Sequence, residues 1–269
     1  PNMSDIIKSA ILGVVEGITE YLPVSSTGHL IIFNEWLSFD AEFSKVFDIF
    51  IQSGAILAAL IIYWKDLVPV GERQKKVFDN WKKMIVAFIP AAVAGLLFAD
   101  SIRKWLFNPI AVAIALIVGG ILFFVIDKKD ITKIDNKEAG ELRMSYLQAF
   151  LVGMAQCCAL IPGVSRSAAT IFGGLFVGLD RRAAATFSFL LAIPTLGAAS
   201  AYSLLKDYKL LAGNFHNLVL LAVGFFVSFV VAYIVIRWFI SYIARHNFWM
   251  FGWYRIVLGI IILGLHYGV

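Results

Sequence analysis

Residues 16–29 read EGITEYLPVSSTGH, and their reading decides the fold. The apolar run from Ile6 to Leu22 has roughly the length of a membrane span but contains Glu16 and Glu20. An acid at the bilayer centre costs about 2.5–3.5 kcal/mol on insertion scales, so two make a poor lipid-facing helix. Pro23 then stops the helix, and Ser25, Ser26 and Thr27 supply hydroxyls where a new one would begin. A second run, MSYLQAFLVGMAQCCALIPGVS at 144–165, is uncharged and would pass for a span on hydropathy alone. Shifting the chain by 140 residues pairs Gly13 with Gly153, Val24 with Val164, Ser25 with Ser165 and Ile31 with Ile171. It also pairs Asp40 with Asp180, Phe47 with Phe187, and Ala58-Ala59 with Ala198-Ala199. The run ending at Pro162 thus corresponds to the one ending at Pro23. Both are expected to be re-entrant helix–break–helix elements, buried in protein instead of lipid.

Around these elements lie six apolar stretches, at 46–64, 84–99, 110–126, 183–205, 218–236 and 248–265. Each is about the 20 residues a bilayer crossing needs, except 84–99, which contains Pro90 and must borrow length from its flanks. The chain is 60% hydrophobic and 15% charged, whereas soluble domains average about 25% charged. A sphere of this size could not hide so much apolar surface, which excludes a soluble enzyme, disorder and nucleic-acid binding. Cys157 and Cys158 are adjacent in an apolar run and suggest neither disulfide nor metal site. The first apolar run lacks a basic leader and a cleavage site, so no signal peptide is expected.

The expected architecture is an all-α integral membrane protein of one domain, residues 1–269, with six transmembrane helices and two re-entrant helical hairpins. The inverted repeats run over approximately 6–127 and 144–268. Three spans per half invert the second half relative to the first, and broken helices meet near the midplane. Lys65, Arg73, Lys75, Lys76, Lys82, Lys83, Lys128, Lys129, Lys133, Lys137, Arg143, Arg237 and Arg245 fall on one side. Only Lys8, Lys45, Arg103, Lys104, Lys206 and Lys209 fall on the other. Thirteen against six places the first group in the cytoplasm and both termini outside. In this setting the net charge of +5 reflects loop basicity.

Glu16 and Glu20 are four apart and share a helical face. Their repulsion must be offset by a cation, an Arg or a shared proton. They are either a pair at a helix mouth reaching water or a site for Mg²⁺, Ca²⁺ or a proton, hard oxygen ligands suiting those metals. In PVSSTGH, Gly28 admits close approach of a ligand, and the free N–H groups of a helix start attract anions. Ser26 and His29 are three apart, as a hydroxyl and its general base would be. The alternative is a helix cap followed by an interfacial His. In PGVSRSAAT at 162–170, Arg166 lies between long uncharged runs and must meet an anion. That anion is a phosphate, matched by the planar guanidinium fork, or the carboxylate of Glu16 or Glu20.

Asp48 and Gln52 share a face early in the first span, as an outer shell or as a helix-start, water-facing pair. Asp180-Arg181-Arg182 reads as a helix cap and interface anchors, and Arg255 as paired with Asp48 or reaching for the membrane surface. The inventory suits phosphoryl transfer, with positive groups stabilising oxygen charge while a hydroxyl or water attacks in line.

EGITEYLPVSSTGH and PGVSRSAAT, with FDIFIQSGAILA (47–58) and FNPI (107–110), closely resemble the bacterial undecaprenyl-pyrophosphate phosphatase family, of the integral-membrane type associated with bacitracin resistance. The resemblance covers nearly the whole chain. It implies six full spans with two re-entrant hairpins. It also implies removal of the terminal phosphate from a C55 polyprenyl pyrophosphate, which recycles the lipid carrier of cell-wall synthesis at the inner membrane. Glu16 and Glu20 would then be the acidic metal-binding or base pair, Ser26 the nucleophile or phosphate ligand, and His29 an acid/base. Arg166, Ser165 and Thr170 would hold the pyrophosphate, with Ser25 and Thr27 beside it. The family's dependence on a divalent cation and its periplasm-facing site carry over as expectations, and a homodimer is left open. Asp48 stands where Glu is usual, and Ala168 where Gly is common. A polyprenyl-phosphate flippase or ion-coupled transporter could use the same midplane site, since inverted repeats with broken helices are a transporter plan. A structural or assembly protein is the third class.

Overall fold

The computed structural model describes residues 3–37, 39–128, 143–206 and 215–268. Those residues are organised as α1 (Met3–Thr19), α2 (Ser26–Leu37), α3 (Ala41–Ile62), α4 (Gln74–Leu106) and α5 (Pro109–Lys128) in the first half. The second half has α6 (Tyr146–Gln156), α7 (Arg166–Phe176), α8 (Arg181–Lys206), α9 (Phe215–Ile243) and α10 (Trp249–Tyr267). Six of these helices, α3, α4, α5, α8, α9 and α10, are long and apolar enough to cross a membrane, matching the six expected spans. The stretch expected at 84–99 is the middle of α4, which runs through Pro90 and takes length from both flanks. Lys129, Lys133, Lys137 and Lys209, counted above for orientation, lie outside the described residues.

The acidic and uncharged runs each form two helices around a break. The pair α1 and α2 is interrupted at 20–25, and α6 and α7 at 157–165 with a short 3-10 turn, Cys157–Leu160. At 12 and 11 residues, α2 and α7 are about 18 and 17 Å long, short of the about 30 Å hydrocarbon core.

Packing between the halves is reciprocal. α1 lies against α9 while its counterpart α6 lies against α4, and α3 meets α8 while α5 meets α10. The paired glycines explain the closest of these contacts. A Cβ at Gly13 would stand 2.7 Å from the Gly224 carbonyl oxygen, and one at Gly153 would collide with the Ala87 carbonyl. Small residues let membrane helices approach backbone to backbone, which replaces the missing hydrophobic drive between helices in lipid. Asp40 and Asp180 play the same local part in each half, accepting the N–H of Phe43 and of Ala183 as caps of α3 and α8. Those two helices are the most enclosed of the six. Large apolar side chains such as Leu96, Leu97, Phe226, Ile234 and Trp253 point outward from the others, the reverse of a water-soluble surface.

Candidate active site

Both breaks end in the same way. Ser25 and Ser165 hold φ of 71° and 74°, the only non-glycine residues with positive φ among those described. Each hydroxyl accepts a main-chain N–H three residues on, from Gly28 and from Ala168, at 3.3 Å. This caps α2 and α7 and leaves both helix starts facing one cavity of about 140 Å³. The cavity is lined by Glu20, Ser25, Ser26 and Thr27 from the first break and by Pro162, Gly163, Ser165 and Arg166 from the second. Gln52 of α3 and Leu196 of α8 close its sides. Free N–H groups and the positive end of two helix dipoles therefore converge on one volume, an arrangement that favours an anion.

Glu20 is the hub. Its Oε2 accepts the Ser26 hydroxyl at 2.9 Å, and its Oε1 takes Arg166 Nη2 at 3.3 Å and Nε at 3.4 Å. Arg166 also donates from Nη1 to the Ser188 carbonyl at 2.9 Å, and its guanidinium lies 5.8 Å from the Tyr21 ring centre. The Ser188 hydroxyl pairs with Thr170 Oγ1 at 2.7 Å, and Thr170 donates to the Arg166 carbonyl at 2.8 Å. One closed loop of bonds thus fixes both ends of Arg166. Ser167 ties the breaks together directly, donating to the Leu22 carbonyl at 2.8 Å. Its donation there leaves Ser165 as donor in the 3.0 Å Ser165–Ser167 pair.

Of Glu16, Glu20, Ser26 and Arg166, expected to converge, the last three are in direct contact, and the carboxylate partner of Arg166 is Glu20. Ser26 and His29 are not bonded to one another. The first-turn side chain of Ser26 leans back across the break onto Glu20. His29, one turn in, spends its nitrogens elsewhere: Nδ1 bonds the Ser25 carbonyl at 2.8 Å and Nε2 the Tyr254 hydroxyl at 2.6 Å. If Tyr254 donates, Nδ1 carries the proton and His29 is neutral. Thr170 is fully buried behind Arg166 and does not line the cavity, whereas Ser25, Thr27, Ser165 and Gln52 do.

Glu16 stands behind Glu20, fully buried, with neither carboxylate oxygen hydrogen-bonded. Its neighbours are the carboxyl groups of Glu20 and Asp48 and, beyond them, Arg166. Carboxyl groups this close repel when ionised, and a shared proton or an added cation would offset that repulsion. Among the described residues no group of three or more His, Cys, Asp or Glu is arranged to hold a metal ion. Two carboxylates completed by phosphate oxygens and water are a common arrangement for Mg²⁺.

Ser188, Ser167 and Tyr254 escaped the sequence reading. Ser188 had a signal: it is the counterpart of Asp48 under the 140-residue shift, a polar residue inside a span. Arg255 neither meets Asp48 nor reaches the membrane surface. It is fully buried, and its hydrogen bonds go to main-chain carbonyls.

Residues 9–261 match the family described as bacitracin resistance protein BacA. Curated relatives agree over almost the full length. An undecaprenyl-diphosphatase of Polaromonas naphthalenivorans (strain CJ2) is 46% identical over 268 residues, covering 96% of this chain and 94% of that protein. Undecaprenyl-diphosphatase 2 of Rhodospirillum rubrum is 49% identical over 262 residues, with 96% and 94% covered. An undecaprenyl-diphosphatase of Acinetobacter baumannii (strain ATCC 17978) is 43% identical over 265 residues, with 96% and 95% covered.

Proposed function

Because the chain belongs to the bacitracin resistance protein BacA family, we propose that it is a multi-pass membrane hydrolase that removes the terminal phosphate of undecaprenyl pyrophosphate. The products are the lipid monophosphate and inorganic phosphate. The reaction takes place in the cavity between the two breaks. The observation that carries this is Glu20, one carboxylate shared by a hydroxyl from the first break and a guanidinium from the second.

The pyrophosphate enters with its negative oxygens toward the starts of α2 and α7, where unpaired N–H groups and Arg166 receive them. Ser26 Oγ attacks the terminal phosphorus as its proton passes to Glu20, to which it is already bonded. The bond from that phosphorus to the bridging oxygen breaks, and the lipid leaves as monophosphate. Water then cleaves the phosphoserine to release inorganic phosphate and restore the hydroxyl. Arg166 stabilises the charge that spreads over the transferred oxygens, held in place by Ser188 and Thr170. His29 fixes the Ser25 carbonyl and so the start of α2. A divalent cation, Mg²⁺ or Ca²⁺, fits the oxygens of Glu16 left without a donor. Glu16 with Glu20 would hold it, and it would supply positive charge against the pyrophosphate.

We place the basic 65–83 segment in the cytoplasm, following the excess of Lys and Arg, and the cavity mouth on the outer face of the plasma membrane, as the family resemblance implies. In the transporter reading Ser26 has no need of a carboxylate to take its proton, and nothing in this geometry favours it. The deciding assay measures phosphate release from undecaprenyl pyrophosphate by purified protein. Ser26→Ala, Glu20→Gln and Arg166→Ala are each expected to abolish turnover, and labelled phosphate should be trapped on Ser26. Parental rates in all three variants would end the hydrolase mechanism described here. A tag at either chain end should be labelled by an impermeant reagent in intact spheroplasts if the orientation is right.

A further inference from the structure

Arg255 is a second guanidinium at the heart of the protein, and it has a different kind of partner. It is 0% exposed and lies in the membrane-crossing helix α10. Nη1 donates to the Pro23 carbonyl at 3.1 Å and Nη2 to the Gly163 carbonyl at 3.0 Å. Nη2 also donates to the Ala115 carbonyl at 3.2 Å, and Nε to Leu116 at 3.3 Å. One planar fork therefore grips the first break, the second break and α5 together. No described carboxylate forms an ion pair with it.

We propose that Arg255 is a positioning residue for the hydrolysis read above, setting the separation and register of the two breaks so that Ser26 and Arg166 meet on Glu20. Four observations bear on this. Pro23 and Gly163 belong to the breaks, beyond the helices that would otherwise supply their carbonyls with donors, and in a bilayer such carbonyls must find donors inside the protein. The bay that receives the guanidinium is made by Gly119 of α5, where any Cβ would collide with Arg255. Gly163, at φ +91°, presses against the same helix, where a Cβ would stand only 2.6 Å from the Val112 carbonyl oxygen. The preceding residue, Tyr254, reaches the first break's helix by its bond to His29. Helices α5 and α10 thus form a wall against which both breaks are pinned. Because Gly163 also lines the cavity, the charge of Arg255 stands one residue behind the pyrophosphate.

The geometry separates the two contributions of Arg255. Lys at this position keeps the charge but is a compact point donor that cannot span four carbonyls. Gln keeps donors and loses the charge. Gly119→Ala leaves Arg255 in the chain and pushes its guanidinium aside. The experiment is steady-state hydrolysis of undecaprenyl pyrophosphate by the purified full-length variants, with thermal unfolding in the same detergent. Arg255→Lys and Gly119→Ala are expected to lower kcat by on the order of 10- to 100-fold, the cost of a misplacement of about 1 Å, with KM within about threefold of parental, because the charge behind the cavity is retained. Arg255→Gln is expected to lower kcat and raise KM together. If Arg255→Lys does not yield folded protein, Gly119→Ala carries the test. Parental kcat in folded Gly119→Ala or Arg255→Lys protein overturns the proposal. So does a loss of activity that only tracks the loss of folded protein. A parental enzyme without hydrolase activity would instead refute the reaction itself, a separate outcome.

Discussion

Replacing Ser165, and separately Ser25, by Gly and by Ala tests whether the two break conformations are strained for a purpose. A non-glycine residue in such a region costs on the order of 1–3 kcal/mol, and these two hold φ of 74° and 71°. Gly removes that cost. It forfeits only a few tenths of a kcal/mol as a helix cap and about 0.5–1 kcal/mol through the freer unfolded chain. The Gly variants should therefore be as stable as the parent or up to about 2 kcal/mol more stable. Ala keeps the Cβ and its strain while losing the hydroxyl that accepts the Gly28 or Ala168 N–H, at about 1 kcal/mol. The usual helix preference for Ala over Gly is thus reversed, with a gap of about 1–3 kcal/mol. Thermal unfolding in one detergent reads it as a Tm several degrees higher for Gly, since about 1 kcal/mol moves Tm roughly 2–4 °C at this chain length. Phosphate release should fall in both Ser165 variants by about 2- to 10-fold, the worth of one hydrogen bond. Ala as stable as Gly at both positions would refute the strain argument, and a fully active Ser165→Gly would show that the hydroxyl serves only the cap.

Glu20→Gln should abolish turnover and also lower stability by about 3–5 kcal/mol, because Arg166 is left buried without its carboxylate. Adding Arg166→Met should recover most of that stability and none of the activity; an unfolding midpoint that does not recover would contradict the pair assignment. Gly153→Ala forces a methyl into the Ala87 carbonyl far from the cavity, so Tm should drop by an amount equivalent to about 1–3 kcal/mol. Its KM should stay near parental in the surviving fraction. Chelation should stop phosphate release by the parent, and added Mg²⁺ or Ca²⁺ should restore it. Glu16→Gln should need far more added cation for the same rate, and an unchanged dependence would remove Glu16 from the cation site.

Much of the fold was legible because lipid imposes it. Uninterrupted apolar length marked the six spans, and two acids in one such run marked the first break. The 140-residue shift carried the second break, which hydropathy alone would have called a span. It also matched local devices: Asp40 with Asp180 as caps, Gly13 with Gly153 as close contacts, and Ser25 with Ser165 as the residues of positive φ. Side-chain partners were less legible, because helical spacing gives an angle around the axis and not what stands opposite. Ser26 and His29 share a face by spacing, yet Glu20 takes the Ser26 hydroxyl from across the break, and Tyr254, 225 residues away, takes the histidine. Arg255 shows the same limit. Its place in an apolar span suggested a pairing with Asp48 or a reach for the membrane surface, but its partners are carbonyls, which every residue carries and no sequence distinguishes.

The shift also shows how two similar halves make one unsymmetrical site. The backbones repeat, so two capped helix starts face one cavity, doubling the anion-binding N–H groups without any charged residue. The side chains do not repeat. Ser26 is the counterpart of Arg166, Glu20 of Leu160, Glu16 of Gln156, and Asp48 of Ser188. Had both halves carried acids, the cavity would repel the pyrophosphate; had both carried arginines, the Ser26 hydroxyl would have no carboxylate to accept its proton. Attack on a phosphorus already ringed by negative oxygen needs both functions at once. Division of labour between matched positions supplies that, and it works only while the two breaks are held in register. The guanidinium of Arg255, bonded to the Pro23 and Gly163 carbonyls, joins them from behind, beside the direct Ser167 bond to the Leu22 carbonyl.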